Sequence, residues 1–237
     1  TVCEESLLKY KNLKQLKMEI KERLKRPKAL NDLPRAKSAK ELQTMKFKSW
    51  LFEGKWKDFL GTPETTGCWM IWGNSFNGKT SFVLQLCKYL TEFENVIYND
   101  LEEGWCQDTQ DAVKAAQLDD VGGKFLHLHK EPMSLLKQRL SKHKSANVVV
   151  INSLQYAELN LKGYMELRAL FPKKLFILIS HAEGKHPEGR IAKRIRYDCA
   201  KKIRVEGFRA FAQVRGKGLA QFDIWPEGAA KYWNEIQ

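Results

Sequence analysis

One stretch, Gly73-Asn74-Ser75-Phe76-Asn77-Gly78-Lys79-Thr80-Ser81, constrains the fold of this chain more than any other. It follows an apolar run, Cys68 to Trp72, and precedes a segment in which Phe82, Val83, Leu86 and Leu90 recur at helical spacing. Strand, glycine-bounded loop and helix, in that order, make a phosphate cradle. Gly73 and Gly78 allow the backbone to turn successive N–H groups toward one point, and the helix that follows adds its positive end. Residues 73–81 are therefore expected to hold a triphosphate. Lys79 would neutralise its outer oxygens and the Thr80 hydroxyl would ligate Mg2+.

Three more apolar runs supply the rest of a mainly parallel sheet. Val96 to Tyr98 reads as a short strand, with Glu102 and Glu103 just past its end. Ligands in open α/β sheets gather outside the carboxyl ends of the strands, so these glutamates face the crevice of the glycine loop, where one of them would activate water. Val148 to Ile151 reads as a buried parallel strand. The position after it, where an acid normally steadies the metal in such sites, holds Asn152, which can accept a hydrogen bond but brings no charge. Three readings stand together: slow or absent turnover, a metal carried by Thr80, the phosphates and an acid such as Glu102, or an engineered Asp-to-Asn change. Leu175 to Ser180 is a further buried strand, and His181 at its end is positioned to sense the outer phosphate.

Charge adds a partner. With 41 Lys and Arg against 28 Asp and Glu, the net charge of +13 favours a polyanion, nucleic acid before membrane. A glycine-punctuated basic loop from about Glu183 to Arg196, carrying Lys185, Arg190, Lys193, Arg194 and Arg196, is expected to touch phosphate backbone. Beyond it, short alternating strands with a turn near Gly216 read as antiparallel edge strands, and Arg215 and Lys217 project to one side. Leu13, Leu16, Ile20 and Leu24 mark one stripe of an amphipathic helix within residues 6–28, a docking element for a partner or a basic arm. Pro27 and Pro34 bound it. The domains are thus residues 1–44, helix and linker, and 45–237, the main domain. The closely spaced aromatics Phe47, Trp50, Phe52, Trp56 and Phe59 are expected at a lid or edge. The opening residues, charged where a signal peptide is apolar, and five scattered cysteines point to a cytoplasmic protein without disulfides or zinc.

Taken together, the chain resembles the RecA-type ATPase core, in the branch of RecA and RadA recombination proteins, KaiC-like ATPases and the DnaB-type helicase motor. The resemblance covers roughly residues 45–233 and rests on the glycine loop, the strand before Glu102-Glu103, the VVVINS strand, and LFILISHAEG with the basic segment after it. It implies a RecA-like P-loop NTPase fold: an α/β core with a mainly parallel central sheet flanked by helices, antiparallel strands at the C-terminal edge and a basic N-terminal helix. It also implies ATP hydrolysis at an interface between subunits of a ring or filament. By the same resemblance the metal-site acid falls on Asn152, the catalytic glutamate on Glu102 or Glu103, the sensor on His181 and a basic pair acting across the interface on Arg215 and Lys217. Similarity to short RecA-like ATPases of bacterial mobile elements and phages implies a role in replication, recombination, repair or transposition. The alternative is a non-hydrolysing regulator that docks a partner through its N-terminal helix, and Asn152→Asp, by raising turnover, would favour it.

Overall fold

The computed structural model describes residues 35–214 and 218–235. The stripe over residues 6–28 and the Arg215–Lys217 pair lie outside them. The chain divides into two units, one ending at Phe47 and one starting at Lys48. In the first, helix α1 (Ala39–Thr44) starts on a capping box in which Ser38 and Glu41 satisfy each other's backbone N–H groups.

The second unit is built around an eight-stranded sheet. Its elements run α2 (Gly54–Leu60), β1 (Gly67–Gly73), α3 (Lys79–Leu90), β2 (Val96–Asp100), α4 (Gln107–Ala115), β3 (Phe125–His129), α5 (Met133–Leu140), β4 (Val148–Asn152), α6 (Leu161–Leu170) and β5 (Leu175–Ser180). A two-residue hairpin, β6 (Ala182–Glu183) and β7 (His186–Pro187), then leads to α7 (Arg190–Asp198), β8 (Lys201–Glu206), β9 (Arg209–Val214), β10 (Gly218–Asp223) and α8 (Pro226–Tyr232). The strand order is β10-β9-β8-β1-β5-β4-β2-β3. From β8 to β3 every pairing is parallel, and β9 and β10 run antiparallel at the edge. This is the α/β architecture expected of a RecA-like core, with one refinement: β8, read as an antiparallel edge strand, pairs parallel to β1.

Side chains alternate across the sheet and divide the core in two. Trp69, Ile71, Tyr98, Val150 and Ile177 meet Phe82, Val83 and Leu86 of α3 on one face. Met70, Ile97, Val149 and Phe176 meet Leu136, Leu167 and Ile195 of α5, α6 and α7 on the other. The central strands are therefore apolar along most of their length, as parallel strands covered on both faces must be, and turn polar at their carboxyl ends, at Asn99, Asp100, Asn152 and Ser180.

Two expectations change here. Trp50, Phe52, Trp56 and Phe59 form no lid; they are buried against α3 and β10, with Trp56 stacked on Tyr89 and on Phe222 at ring separations of 5.4 and 4.5 Å. Burying each such ring contributes about 1.5–3 kcal/mol, which outweighs what an exposed lid position could offer. Phe47, in the first unit, is exposed. The basic segment is also not a loop throughout. Ala192 and Ile195 are buried three residues apart, Cys199 follows at four, and that apolar stripe folds residues 190–198 into a helix against the sheet.

Candidate functional site

The four parallel strands β1, β5, β4 and β2 lie side by side and end at Gly73, Ser180, Asn152 and Asp100. Their carboxyl ends open one crevice. On its first side the glycine loop leaves β1 and enters α3. Gly78 adopts φ +87°, a left-handed conformation suited to glycine, but the second left-handed residue is Phe76 (φ 59°), whose side chain is exposed. Gly73 has a different purpose from the one expected: it lies in β1, and a Cβ there would sit 2.4 Å from the carbonyl oxygen of Val205 on β8. Close approach of two strands, rather than a turn, requires it.

Asn77 fixes the loop through its side chain and its backbone carbonyl. Asn77 accepts from the Gly207 N–H at 2.7 Å, donates to the Ser75 carbonyl at 2.9 Å, and its own carbonyl accepts from the Phe208 N–H at 3.1 Å. The loop is thereby tied to the β8–β9 turn. Lys79 is half-buried and donates to the Gly73 carbonyl at 3.0 Å. Burial pulls its pKa below the ordinary lysine value, while Glu102, Glu103 and Glu188 pull it back up. Thr80 and Ser81 follow at the first turn of α3, Thr80 half-buried and Ser81 exposed. Beside them a cavity of about 260 Å³ is lined by Gly78, Ser81, Gln85, Ala112, Phe208, Ile224 and Trp225 among others.

The opposite side is made of side chains that hold one another. Glu102 Oε1 lies 2.9 Å from His181 Nε2, and His181 Nδ1 lies 3.4 Å from Glu188 Oε2. One imidazole thus bridges two carboxylates, and both its nitrogens can donate only when it is protonated. Glu103 is exposed, and its carboxyl is pushed above the usual range by partial desolvation first and then by Asp100 and Glu102. The loop carrying this pair is pinned at both ends. Asp100 Oδ1 accepts from the backbone N–H groups of Glu102 and Glu103 at 3.3 and 3.2 Å, and the Trp105 N–H donates to His129 Nδ1 at 2.9 Å. Asn152 Nδ2 donates to Asp100 Oδ1 at 3.1 Å.

Asp100 was missed in the sequence because the strand was ended at Tyr98; the alternation that buries Val96 and Tyr98 on the α3 face, continued for two residues, reaches it. Asn77 was assigned only to the cradle, and its tie to the β8–β9 turn has no signal in the sequence.

No protein-family model and no curated protein matches the chain. Among 588 solved chains that match its fold is the flagellar accessory protein FlaH from Methanocaldococcus jannaschii, at 18% identity and a TM-score of 0.49, with 67% of this chain and 81% of that one covered. A likeness of that degree says nothing about activity or partners.

The donor set fits a nucleoside triphosphate with magnesium. Among the described residues no group of three His, Cys, Asp or Glu side chains could hold a metal ion unaided. Magnesium in phosphate sites is carried largely by the phosphates with one or two protein oxygens, and Thr80, in the first turn of α3, is the residue that would supply one.

The five basic residues expected at nucleic acid divide in the structure. Lys185, Arg190 and Arg194 are exposed, and their side chains have no ion pair among the described residues. Lys193 is paired with Glu183 at 2.7 Å. Arg196 lies over Trp72, 5.6 Å from the ring centre, and bonds His186 at 3.0 Å. No helix among the described residues is long and apolar enough to cross a membrane.

Proposed function

We propose that this chain is an ATP-binding, ATP-hydrolysing RecA-like protein that acts with DNA and holds its nucleotide at an interface between subunits. The observation that carries the reading is the Glu102–His181 pair at 2.9 Å, facing a P-loop whose Lys79 feels the charge of both Glu102 and Glu103. Backbone N–H groups of residues 75–79 and the Lys79 ammonium bind and orient the phosphates. Thr80 and the phosphates would hold magnesium, which would supply charge neutralisation at the outer oxygens. Glu102 accepts the proton of the attacking water through Oε2, which makes no hydrogen bond among the described residues, while His181 fixes the carboxylate through Oε1. Phe208 and Trp225 offer faces for the base beside α3.

DNA enters through Lys185, Arg190 and Arg194, suited to phosphate contacts that carry no base specificity. The Glu102–His181–Glu188 chain links the nucleotide site to the start of the helix bearing Arg190 and Arg194. Arg215 and Lys217 would reach the nucleotide of a neighbouring subunit. The basic N-terminal segment is a docking element for a partner, and the work done on DNA is replication, recombination, repair or transposition of a mobile element.

The test is ATP turnover with and without single- and double-stranded DNA, with the mass measured in the same buffer. ATP is expected to promote self-association and DNA to raise turnover. A species that stays monomeric with ATP and magnesium, and whose turnover ignores DNA, overturns the reading. The uncharged Asn152 favours one second reading, a non-hydrolysing regulator in which ATP is a structural ligand; tight ATP binding without turnover under any of these conditions would establish it.

A further inference from the structure

Asp100 is the only carboxylate that is fully buried among the described residues. A buried carboxylate costs several kcal/mol unless neighbours compensate it, so its partners carry information about its use. Oδ1 takes three donors: the backbone N–H groups of Glu102 and Glu103 and the amide of Asn152. Oδ2 takes no hydrogen bond among the described residues and lies 3.6 Å from His127 Nε2 on β3, within ion-pair distance.

Its position is equally specific. Asp100 pairs in register with Asn152 across β2 and β4, and both stand two residues beyond side chains packed on α3, Tyr98 and Val150. Alternation puts both on the α3 face, the face from which the P-loop helix departs. The two residues also assign each other's chemistry. An ionised carboxylate only accepts, and Asn152 donates to it. An aspartate at position 152 would bring a second carboxylate to the same contact, where like charges repel.

We propose that Asp100 supplies the negative charge that the magnesium site lacks at Asn152, so that the two strands share a single charge carried on β2 with Asn152 as its hydrogen-bond donor. This rests on the reading of the crevice as a nucleotide–magnesium site. On this proposal Asn152→Asp does not give the rise in turnover that would mark the non-hydrolysing alternative: the charge is displaced by one strand, not missing.

ATP binding is measured by calorimetry on the full chain at saturating Mg2+ and in EDTA, with thermal unfolding of each variant alongside. For the wild type, Mg2+ strengthens ATP binding. Asp100→Asn is expected to lose about 10–100-fold of that strengthening, the range for groups that tune a metal site through its surroundings, while affinity in EDTA is kept or improved. Asn152→Asp alone is expected to lower the melting temperature without strengthening the Mg2+ effect. The exchange Asp100→Asn with Asn152→Asp restores one charge and one donor, and is expected to recover both the Mg2+ effect and the melting temperature. A folded Asp100→Asn that keeps the whole Mg2+ effect overturns the proposal, as does an Asn152→Asp protein that binds Mg2+-ATP more tightly than wild type, or an exchange variant no better than Asp100→Asn. If wild type binds no ATP in either condition, it is the nucleotide reading that fails. If wild type responds to Mg2+ and Asp100→Asn responds equally, only the assignment of the charge fails.

Discussion

The two walls of the crevice are built on different physical terms. The P-loop wall comes from consecutive residues, 73–81, and presents backbone N–H groups with the Lys79 ammonium and the Thr80 hydroxyl added. The facing wall draws Asp100 and Glu102 from the end of β2, Asn152 from β4, and His181 and Glu188 from the residues after β5, and it works through side chains bonded to one another. A cradle for phosphate depends mainly on local backbone shape, here tied down to the β8–β9 turn by Asn77. An array of acids depends on how many charges share a small volume, so each member limits what the next can be.

That contrast can be broken at either wall. The largest effect is expected at the facing wall: Glu102→Gln should lower kcat about 10²–10⁴-fold, the usual contribution of a general base, with ATP affinity unchanged in a binding titration. A parallel loss of affinity would place Glu102 in binding instead. At the P-loop wall the pattern should invert. Lys79→Ala is expected to cost about 1.5–3 kcal/mol of ATP binding, roughly 10–150-fold in Kd.

Lys79 also gives a pH signature. Its ammonium is charged below its folded pKa, which burial has lowered. ATP affinity should therefore be full at neutral pH and decline as pH rises through that value, earlier than a free lysine near ~10.4 would allow. The inflection should vanish in Lys79→Ala.

A smaller effect separates folding from chemistry. Gly73→Ala drives a Cβ to within 2.4 Å of the Val205 carbonyl oxygen, and should cost about 1–3 kcal/mol in a denaturant titration by prising β1 from β8. The smallest concerns neither wall: Arg190→Ala with Arg194→Ala should reduce the slope of log affinity against log salt for DNA by about 2, one per phosphate contact, and leave ATP binding alone.

Much of this architecture was legible before folding. Every apolar run read as a strand is one, because fully covered parallel strands require continuous apolar sequence. The basic segment shows the opposite case. Its density of Lys and Arg reads as a loop, yet Ala192 and Ile195 suffice to fold it as a helix, since two buried side chains and a sheet to pack on outweigh a charged surface that water solvates in either conformation. The aromatics from Trp50 to Phe59 were visible as a cluster, but whether they cover a ligand or the core depends on α3 and β10, which arrive from elsewhere in the chain.

By itself the sequence determined that a cradle forms, because the conformation of Gly78 and the helix that follows are local properties of adjacent residues, whereas the ties of Gly73 to β8 and of Asn77 to the β8–β9 turn came from the tertiary structure. Only the tertiary structure decided what Asn152 means. Its partner Asp100 lies 52 positions away and meets it through the β2–β4 register, and hydrogen bonding between buried groups is set by register and burial, neither of which a residue carries in its own identity.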